Sequence, residues 1–316
     1  MKNNKVWLIA LIGVLFLAGF WMARHSRTNL EGKVAGKPQV VVSMPLLKHL
    51  VSRIGGNEVA VTSIVKGASC NHEYEPTSQD LKVVAGSVLF IKVGLGFDLW
   101  VDQLIGTVAP KGMQVVDASQ GIRPVAAAEN EHAEDAEHND TAAAEEDHHH
   151  HLDNPHYWGS PDNVKTMARN ILTVLVKLVS NKKLQLTRNY NEYIKELDQI
   201  CTGLKAKVAG LPDKRVVSYS AAFPYFYQYF GFENLATVES TCEQEISPKR
   251  LAEIAKLIKE KQVKVLVGES VYPKLPENLA QETAAKLVLL WPGTNEAEDY
   301  PATLKENVEK LVNVLQ

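Results

Sequence analysis

The fold is decided by a strand–helix–strand stretch at residues 88–119, VLFIKVGLGFDLWVDQLIGTVAPKGMQVVDAS. Its first segment, VLFIKVG, is a short apolar run typical of a strand that is buried on both faces. FDLWVDQLIGTV follows as a helix, and MQVVDAS has the composition of a second strand. Because neighbouring parallel strands need a long crossover, usually a helix, this order predicts a parallel sheet in an α/β fold.

The same alternation occurs in two parts of the chain. The first part also contains the strands QVVVS and EVAVTSIV, and the second contains KRVVSYS, NLATVES, VKVLVGES and KLVLLW. A long helical stretch, KLQLTRNYNEYIKELDQICTGLKAKVAG, lies between them. We therefore predict two similar (β/α) lobes with mainly parallel sheets, joined by a long rigid helix, with a cleft between the lobes. The predicted boundaries are residues 38–183, 184–210 for the linking helix, and 211–316.

Residues 1–37 indicate an export signal followed by a polar linker. Lys2 and Lys5 precede the apolar run of residues 6–23, and Arg24 follows it directly. A basic start before an apolar run is typical of secretory signals, and this run is about long enough to cross a bilayer core. We expect an uncleaved membrane anchor or a cleaved signal peptide. Both place the rest of the chain in the periplasm or on the outer face of the cytoplasmic membrane.

The composition excludes one class of partner. The formal net charge is −3 at pH 7, and the sequence has none of the basic stripes that nucleic-acid-binding proteins usually carry. We therefore expect no nucleic-acid partner, and we expect a monomer. Cys70, Cys201 and Cys242 all follow the export signal, where disulfides are permitted, but their odd number leaves at least one unpaired within a chain. Cys201 lies in the long helical stretch, where we expect it to be buried.

An insert at residues 126–151, AAAENEHAEDAEHNDTAAAEEDHHHH, has too few large apolar side chains to form a core. Histidine-rich tracts of this kind bind borderline metal ions, zinc above all. The insert is therefore predicted to collect zinc weakly at several sites, although its composition also suits a solvated spacer. The auxiliary ligands would be His132, His138, His148, His149, His150 and His151.

Two further histidines lie where ligands bind in α/β folds. The loop CNHEYEPTSQDLK (residues 70–82) follows the second predicted strand, so His72 lies at the carboxyl edge of the sheet, where open α/β sheets bind ligands. His156, in LDNPHYWGSPDN, lies on a turn constrained by a proline just before a helix. Together they favour a metal site. His49 lies on a short helix away from this edge, and we expect it to be a surface histidine.

These motifs resemble those of one protein family. HEYEPTSQDLK resembles the H-x-(Y/F)-E-P-T-P-x-D segment of solute-binding proteins from zinc and manganese ABC transporters. The insert with NPHYW resembles the histidine-rich loop and D-P-H-x-W segment of the zinc-specific members. VVSYSAAFPYFYQYFGFE and VKVLVGES are similar to later elements of the family, in the same order. The resemblance implies a rigid two-lobed binder that holds one metal between its lobes and delivers it to a membrane permease driven by an ATPase.

The resemblance also assigns ligands, and half of them are missing. His72 and His156 match the two histidine ligands of the N-terminal lobe. The third family ligand falls on Ser220, and serine is a poor zinc ligand. The fourth, a carboxylate, falls in LLWPGTN, which contains none.

Three interpretations of the missing ligands remain open. In the first, the site is completed by Glu269, which ends a strand of the C-terminal lobe, or by Cys242, which follows one. Alternatively, Cys70 and Cys242 form a disulfide, or the metal is held by two histidines with water or with a histidine of the insert.

The function that these features favour is metal capture for transport. Zn²⁺ is preferred over Mn²⁺, because imidazole suits zinc whereas manganese prefers carboxylates. A zinc-storage or adhesion protein on the same fold is the alternative. A zinc metallohydrolase is disfavoured, because the chain has no H-E-x-x-H motif, and we expect no enzymatic activity.

Overall fold

The computed structural model describes residues 36–67, 74–125, 154–239, 246–272, 274, 276–293 and 299–316. The predictions for Cys70, His72, Cys242 and the histidines of the insert lie outside these residues. They remain predictions.

The first sheet has four parallel strands in the order β2-β1-β3-β4. The strands are β1 Gln39–Val42, β2 Ala60–Ser63, β3 Leu89–Lys92 and β4 Gln114–Asp117. The two central strands are apolar and buried except at one end, where β1 begins with Gln39 and β3 ends with Lys92. Val40 is paired to Val61 on one side and to Leu89 on the other. The prediction that VLFIKVG forms a buried strand is thereby confirmed, and MQVVDAS forms the second strand, β4, which is more exposed.

The second sheet repeats this arrangement, with the parallel order β6-β5-β7-β8. Its strands are β5 Arg215–Ser220, β6 Glu233–Glu239, β7 Val265–Glu269 and β8 Lys286–Leu290. In each lobe the first strand lies between the second and the third, so the two lobes have the same topology. The predicted pair of similar (β/α) lobes is confirmed.

Helices cover the sheets, and two of them begin at residues that are typical N-caps, Thr77 and Ser247. The hydroxyl oxygen of Thr77 accepts from the backbone N–H of Asp80, whose carboxylate accepts from the backbone N–H of Thr77 at 2.7 Å. Ser247 caps its helix with a proline at the first turn. The helices are α1 Pro45–Gly55, α2 Ser78–Ala85, α3 Trp100–Val108, α4 Pro161–Leu178, α5 Lys183–Ala209, α6 Pro224–Phe230, α7 Pro248–Lys261, α8 Glu277–Thr283 and α9 Tyr300–Leu315.

Helix α5 is the predicted linking helix, and its 27 residues contact both lobes. It packs against α1 and α4 from the N-terminal lobe and against α9 from the C-terminal lobe. Cys201 lies on its buried face and is 2% exposed, as expected. One hydrophobic cluster continues from Val42 of the first sheet to Val267 of the second, and residues 39–316 form one compact unit. The long helix therefore forms part of a core that both lobes share.

His49 corrects one expectation, because it is not a surface histidine. It is half-buried on α1, and its ring meets the ring of Tyr193 on α5 edge-on, with 5.6 Å between centroids. Packing of α1 against the linking helix covers it, which a short helix considered alone does not reveal.

Within the part of the chain that the structure describes, no helix has both the length and the apolar character needed to cross a membrane. The predicted anchor, residues 6–23, lies outside that part, so the anchor remains a prediction.

Candidate metal-binding site

His156 lies on a rigid turn at the carboxyl end of the first sheet. As predicted, it lies on a turn just before a helix, α4, which begins at Pro161; a short 3₁₀ helix, Tyr157–Gly159, lies between them. Tyr157 is fully buried, and its hydroxyl donates to the backbone oxygen of Val93, just beyond β3, at 2.6 Å. The turn is thereby fixed to the edge of the sheet where open α/β sheets bind ligands.

The His156 ring is enclosed by aromatic side chains and an amide. Its centroid lies 5.7 Å from that of Phe97 and 5.3 Å from that of Trp158, both edge-on. Its Nδ1 is 3.1 Å from Oδ1 of Asn154, which also accepts from the His156 backbone N–H at 2.9 Å. A ring held through Nδ1 in this way has Nε2 as the nitrogen that is able to bind a metal.

Phe97, one of the two aromatic side chains beside His156, is positioned by a glycine-containing turn that was not predicted from the sequence. In the segment VGLGFD, the backbone N–H groups of Val93 and Gly94 donate to the Asp98 carboxylate at 2.7 and 3.0 Å. Burial raises the pKa of Asp98, and these donors partly offset the shift. The turn places Phe97 against His156. The sequence does contain a pattern that predicts this turn, because two glycines and an aspartate follow a buried strand directly.

We expect Gly94→Ala to destabilise the protein more than Gly96→Ala. Both glycines have positive φ, +86° and +76°, so alanine is strained at either position. Only at Gly94 would the added Cβ also clash, lying 2.0 Å from Oδ1 of Asp117, whereas nothing lies within 4 Å at Gly96. The expected loss is about 3 kcal/mol for Gly94→Ala and about 1 kcal/mol for Gly96→Ala. Urea unfolding of both variants measures the difference, and equal losses would show that the clash is absent.

In the loop that carries His72, the residues that the structure describes begin again at Tyr74. The Tyr74 hydroxyl donates to Oδ2 of Asp80 at 2.8 Å, the same carboxylate that completes the Thr77 capping box. Burial is the main cause that raises the pKa of Tyr74 to about 12. The chain is therefore anchored to α2 two residues after His72.

In the C-terminal lobe, Ser220 and Glu269 form a hydrogen-bonded pair. They end β5 and β7, which are neighbours in the second sheet, so their side chains meet at its carboxyl edge. The Ser220 hydroxyl donates to Glu269 Oε1, and its oxygen accepts from the backbone N–H of Ala222 at 3.1 Å. Burial raises the pKa of Glu269, and the bond from Ser220 counteracts that shift. Ser220 thus contacts the candidate ligand Glu269.

The His156 turn is hydrogen-bonded directly to this lobe. Nδ2 of Asn154 donates to the backbone oxygen of Ala221, the residue after Ser220, at 2.8 Å. On the other side of the turn, Nε1 of Trp158 donates to the backbone oxygen of Pro292, in the loop after β8, at 2.6 Å. The carboxyl edges of the two sheets therefore meet around His156.

Of the predicted ligands, the structure describes His156 and Glu269 and connects them through Asn154, Ala221 and Ser220. Imidazole nitrogen and carboxylate oxygen are both ligand types that zinc accepts. His72 and Cys242 are not among the described residues. Within the described ranges alone, no three His, Cys, Asp or Glu side chains are grouped as a metal site.

Comparisons with known proteins give consistent matches. The family model described as "Zinc-uptake complex component A periplasmic" (ZnuA) matches residues 40–314. A protein of Treponema pallidum is 27% identical over 306 residues, covering 96% of this chain and 94% of that protein. The zinc-binding protein AdcA of Streptococcus pyogenes is 26% identical over 323 residues, and the match covers 98% of this chain but only 61% of AdcA.

The fold is also found among solved structures. A crystal structure of ZnuA superposes with a TM-score of 0.75 and 25% identity. The superposition covers 89% of this chain and all of that one.

Proposed function

Because the chain belongs to the family of periplasmic zinc-uptake components, as its motifs predict, we propose that it captures Zn²⁺ between its lobes and delivers it to an ABC permease and ATPase. The family consists of metal-binding components of uptake systems, and its members are exported. We extend this to the chain as a whole: a monomer without enzymatic activity, exported by residues 1–37, and anchored by residues 6–23 or released by signal cleavage.

The observation that carries this proposal is the His156 turn, which is bonded to both lobes. Its imidazole belongs to the N-terminal lobe, but its neighbours on either side donate to backbone oxygens of the C-terminal lobe. A metal bound by His156 is therefore close to the chain that carries Ser220 and Glu269. This arrangement suits capture between lobes rather than binding on the surface of one.

We propose that Glu269 is the ligand from the C-terminal lobe, with His72 as the second histidine. Ser220 then acts through its hydrogen bond, because a donor fixed on one carboxylate oxygen orients the other oxygen. Cys242 remains a proposed fourth ligand, since thiolate binds zinc strongly.

Zinc is the favoured cargo because the site and the insert both offer imidazole. Mn²⁺ prefers sites that are richer in carboxylate. The insert would collect Zn²⁺ weakly near the lobes, which assists capture from dilute solution without forming the tight site. Its proposed ligands are His132, His138 and His148 to His151.

Deletion of residues 126–151 is expected to leave one tight zinc site and to remove several weak ones. The reason is that the tight site is built by the two lobes, whereas the insert only adds histidines. Calorimetric titration of the wild type and the deletion variant with Zn²⁺, and with Mn²⁺ for comparison, measures both classes of site. If tight binding disappears with the insert, the protein is a zinc-storage protein and the proposed function is wrong.

A further inference from the structure

Asn154 is a buried amide that links His156 to the C-terminal lobe. Its Nδ2 donates to the backbone oxygen of Ala221, and its Oδ1 accepts from the backbone N–H of His156. A carbonyl only accepts and an N–H only donates, so these two partners fix the orientation of the amide. Because Oδ1 has no hydrogen to give, Nδ1 of the His156 ring must carry the proton of the 3.1 Å hydrogen bond.

This bond determines which nitrogen of the His156 ring is able to bind a metal. A neutral imidazole has one N–H and one lone pair, so protonation at Nδ1 leaves the lone pair on Nε2. Metal-binding histidines usually donate their second N–H to an acceptor that fixes both the tautomer and the ring orientation. Here a neutral amide is that acceptor.

The amide itself has little freedom, because both lobes hold its backbone. The Asn154 N–H donates to the backbone oxygen of Val125 at 3.0 Å, and its carbonyl oxygen accepts from the Tyr225 hydroxyl at 2.8 Å. The Tyr225 hydroxyl oxygen in turn accepts from the Val125 N–H at 2.8 Å. Asn154 is only 4% exposed, and its amide is oriented by its bonds to the Ala221 oxygen and the His156 N–H.

We propose that Asn154 is the positioning residue of the metal site. It selects the His156 tautomer that binds metal through Nε2, and it couples that ring to the segment that follows Ser220. This inference rests on the proposed function, because it takes His156 as a ligand. It concerns a residue that touches no metal and acts through two hydrogen bonds.

Two substitutions separate the two hydrogen bonds. Asn154→Asp keeps an acceptor for the His156 ring but has no N–H for the Ala221 oxygen, whereas Asn154→Ala removes both. Asn170→Ala is the matched control, because the Asn170 amide donates to the backbone oxygens of Ala118 and Gln120 and is not bonded to His156. The control therefore loses a half-buried amide that donates to backbone oxygens, without any change at the site.

Zinc affinity, measured by competition with a chelator, is expected to fall roughly 10- to 100-fold in Asn154→Ala. In Asn154→Asp the loss is expected to be smaller, less than about tenfold, because the carboxylate still accepts from the His156 ring and only the bond to Ala221 is lost. Asn170→Ala should bind zinc like the wild type even if its thermal stability is lower. Loss of affinity in proportion to loss of stability across all three variants would indicate a purely structural role and would overturn the proposal.

Nitrogen-15 NMR of histidine-labelled, metal-free protein gives an independent readout, with His156→Ala identifying the signal. The wild type and Asn154→Asp should show a protonated Nδ1 and an unprotonated Nε2, and Asn154→Ala should show a mixture of tautomers. An unchanged tautomer or wild-type affinity in Asn154→Ala overturns the positioning role. The proposed function survives that result if His156→Ala loses zinc binding. If His156→Ala binds zinc like the wild type, both are wrong.

Discussion

Acidification from pH 7 to pH 5 is expected to remove about 2 kcal/mol from the unfolding free energy of the metal-free protein through a single histidine, His49. Burial lowers the pKa of His49 from 6.5 to about 4, with Asp299 opposing the shift, Arg53 adding to it and Glu196 opposing it. Among the described residues its Nε2 is buried without a hydrogen-bond partner, as is the hydroxyl of Tyr193 beside it. A proton on this ring therefore enters an environment that disfavours charge.

The sign follows from the two pKa values of His49. Below pH 6.5 the unfolded chain binds a proton that the folded protein does not take up until the pH approaches 4. The stability that depends on neutral His49 is therefore present above pH 6.5 and declines as the pH falls from 6.5 to 4. Below pH 4 the whole contribution, about 3 kcal/mol, is lost. A loss of stability on acidification is what a histidine held neutral in the native state produces.

Urea unfolding between pH 7.5 and pH 4.5, in the presence of a chelator, measures this loss. His49→Gln is the control, because glutamine stays neutral over the whole range while the other titrating groups are unchanged. Its stability should depend on pH less steeply than that of the wild type, by about 2 kcal/mol at pH 5. Parallel profiles for the two proteins would show that His49 does not remain neutral in the fold.

The sheets and the starts of the helices capped by Thr77 and Ser247 were predictable because their causes are local. A short apolar run that ends at a glycine, such as VLFIKVG, indicates a buried strand, and the Thr77 capping box involves residues only three apart. Cys201 was expected to be buried because it lies on the apolar face of a long helix. For these elements the local pattern and the tertiary structure favour the same conformation.

The site was less predictable because its contacts join distant parts of the chain. Ser220 is a poor ligand by residue type, and its bond to Glu269 becomes evident only once β5 and β7 are neighbours. His49 was misjudged for the same reason, since the linking helix covers it. The Asn154 link to Ala221 spans 67 positions in sequence, which no local pattern encodes.

Replacing His156 by alanine is expected to weaken tight zinc binding by at least about 100-fold. Loss of an outer-shell partner already costs up to that factor, and this change removes a ligand itself. No other side chain of this turn is expected to move into the place of His156, because the turn is fixed by hydrogen bonds to Val93, Ala221 and Pro292. His49→Gln is the matched control, since it removes a histidine that lies outside the site.

The most direct measurement is a zinc titration against a chelator of known affinity, with residues 126–151 deleted so that the insert contributes nothing. The parent deletion variant and its His49→Gln derivative should each bind one zinc ion tightly, and the His156→Ala derivative should bind it at least about 100-fold more weakly while remaining folded. Equal affinity in all three proteins would contradict a zinc site between the lobes.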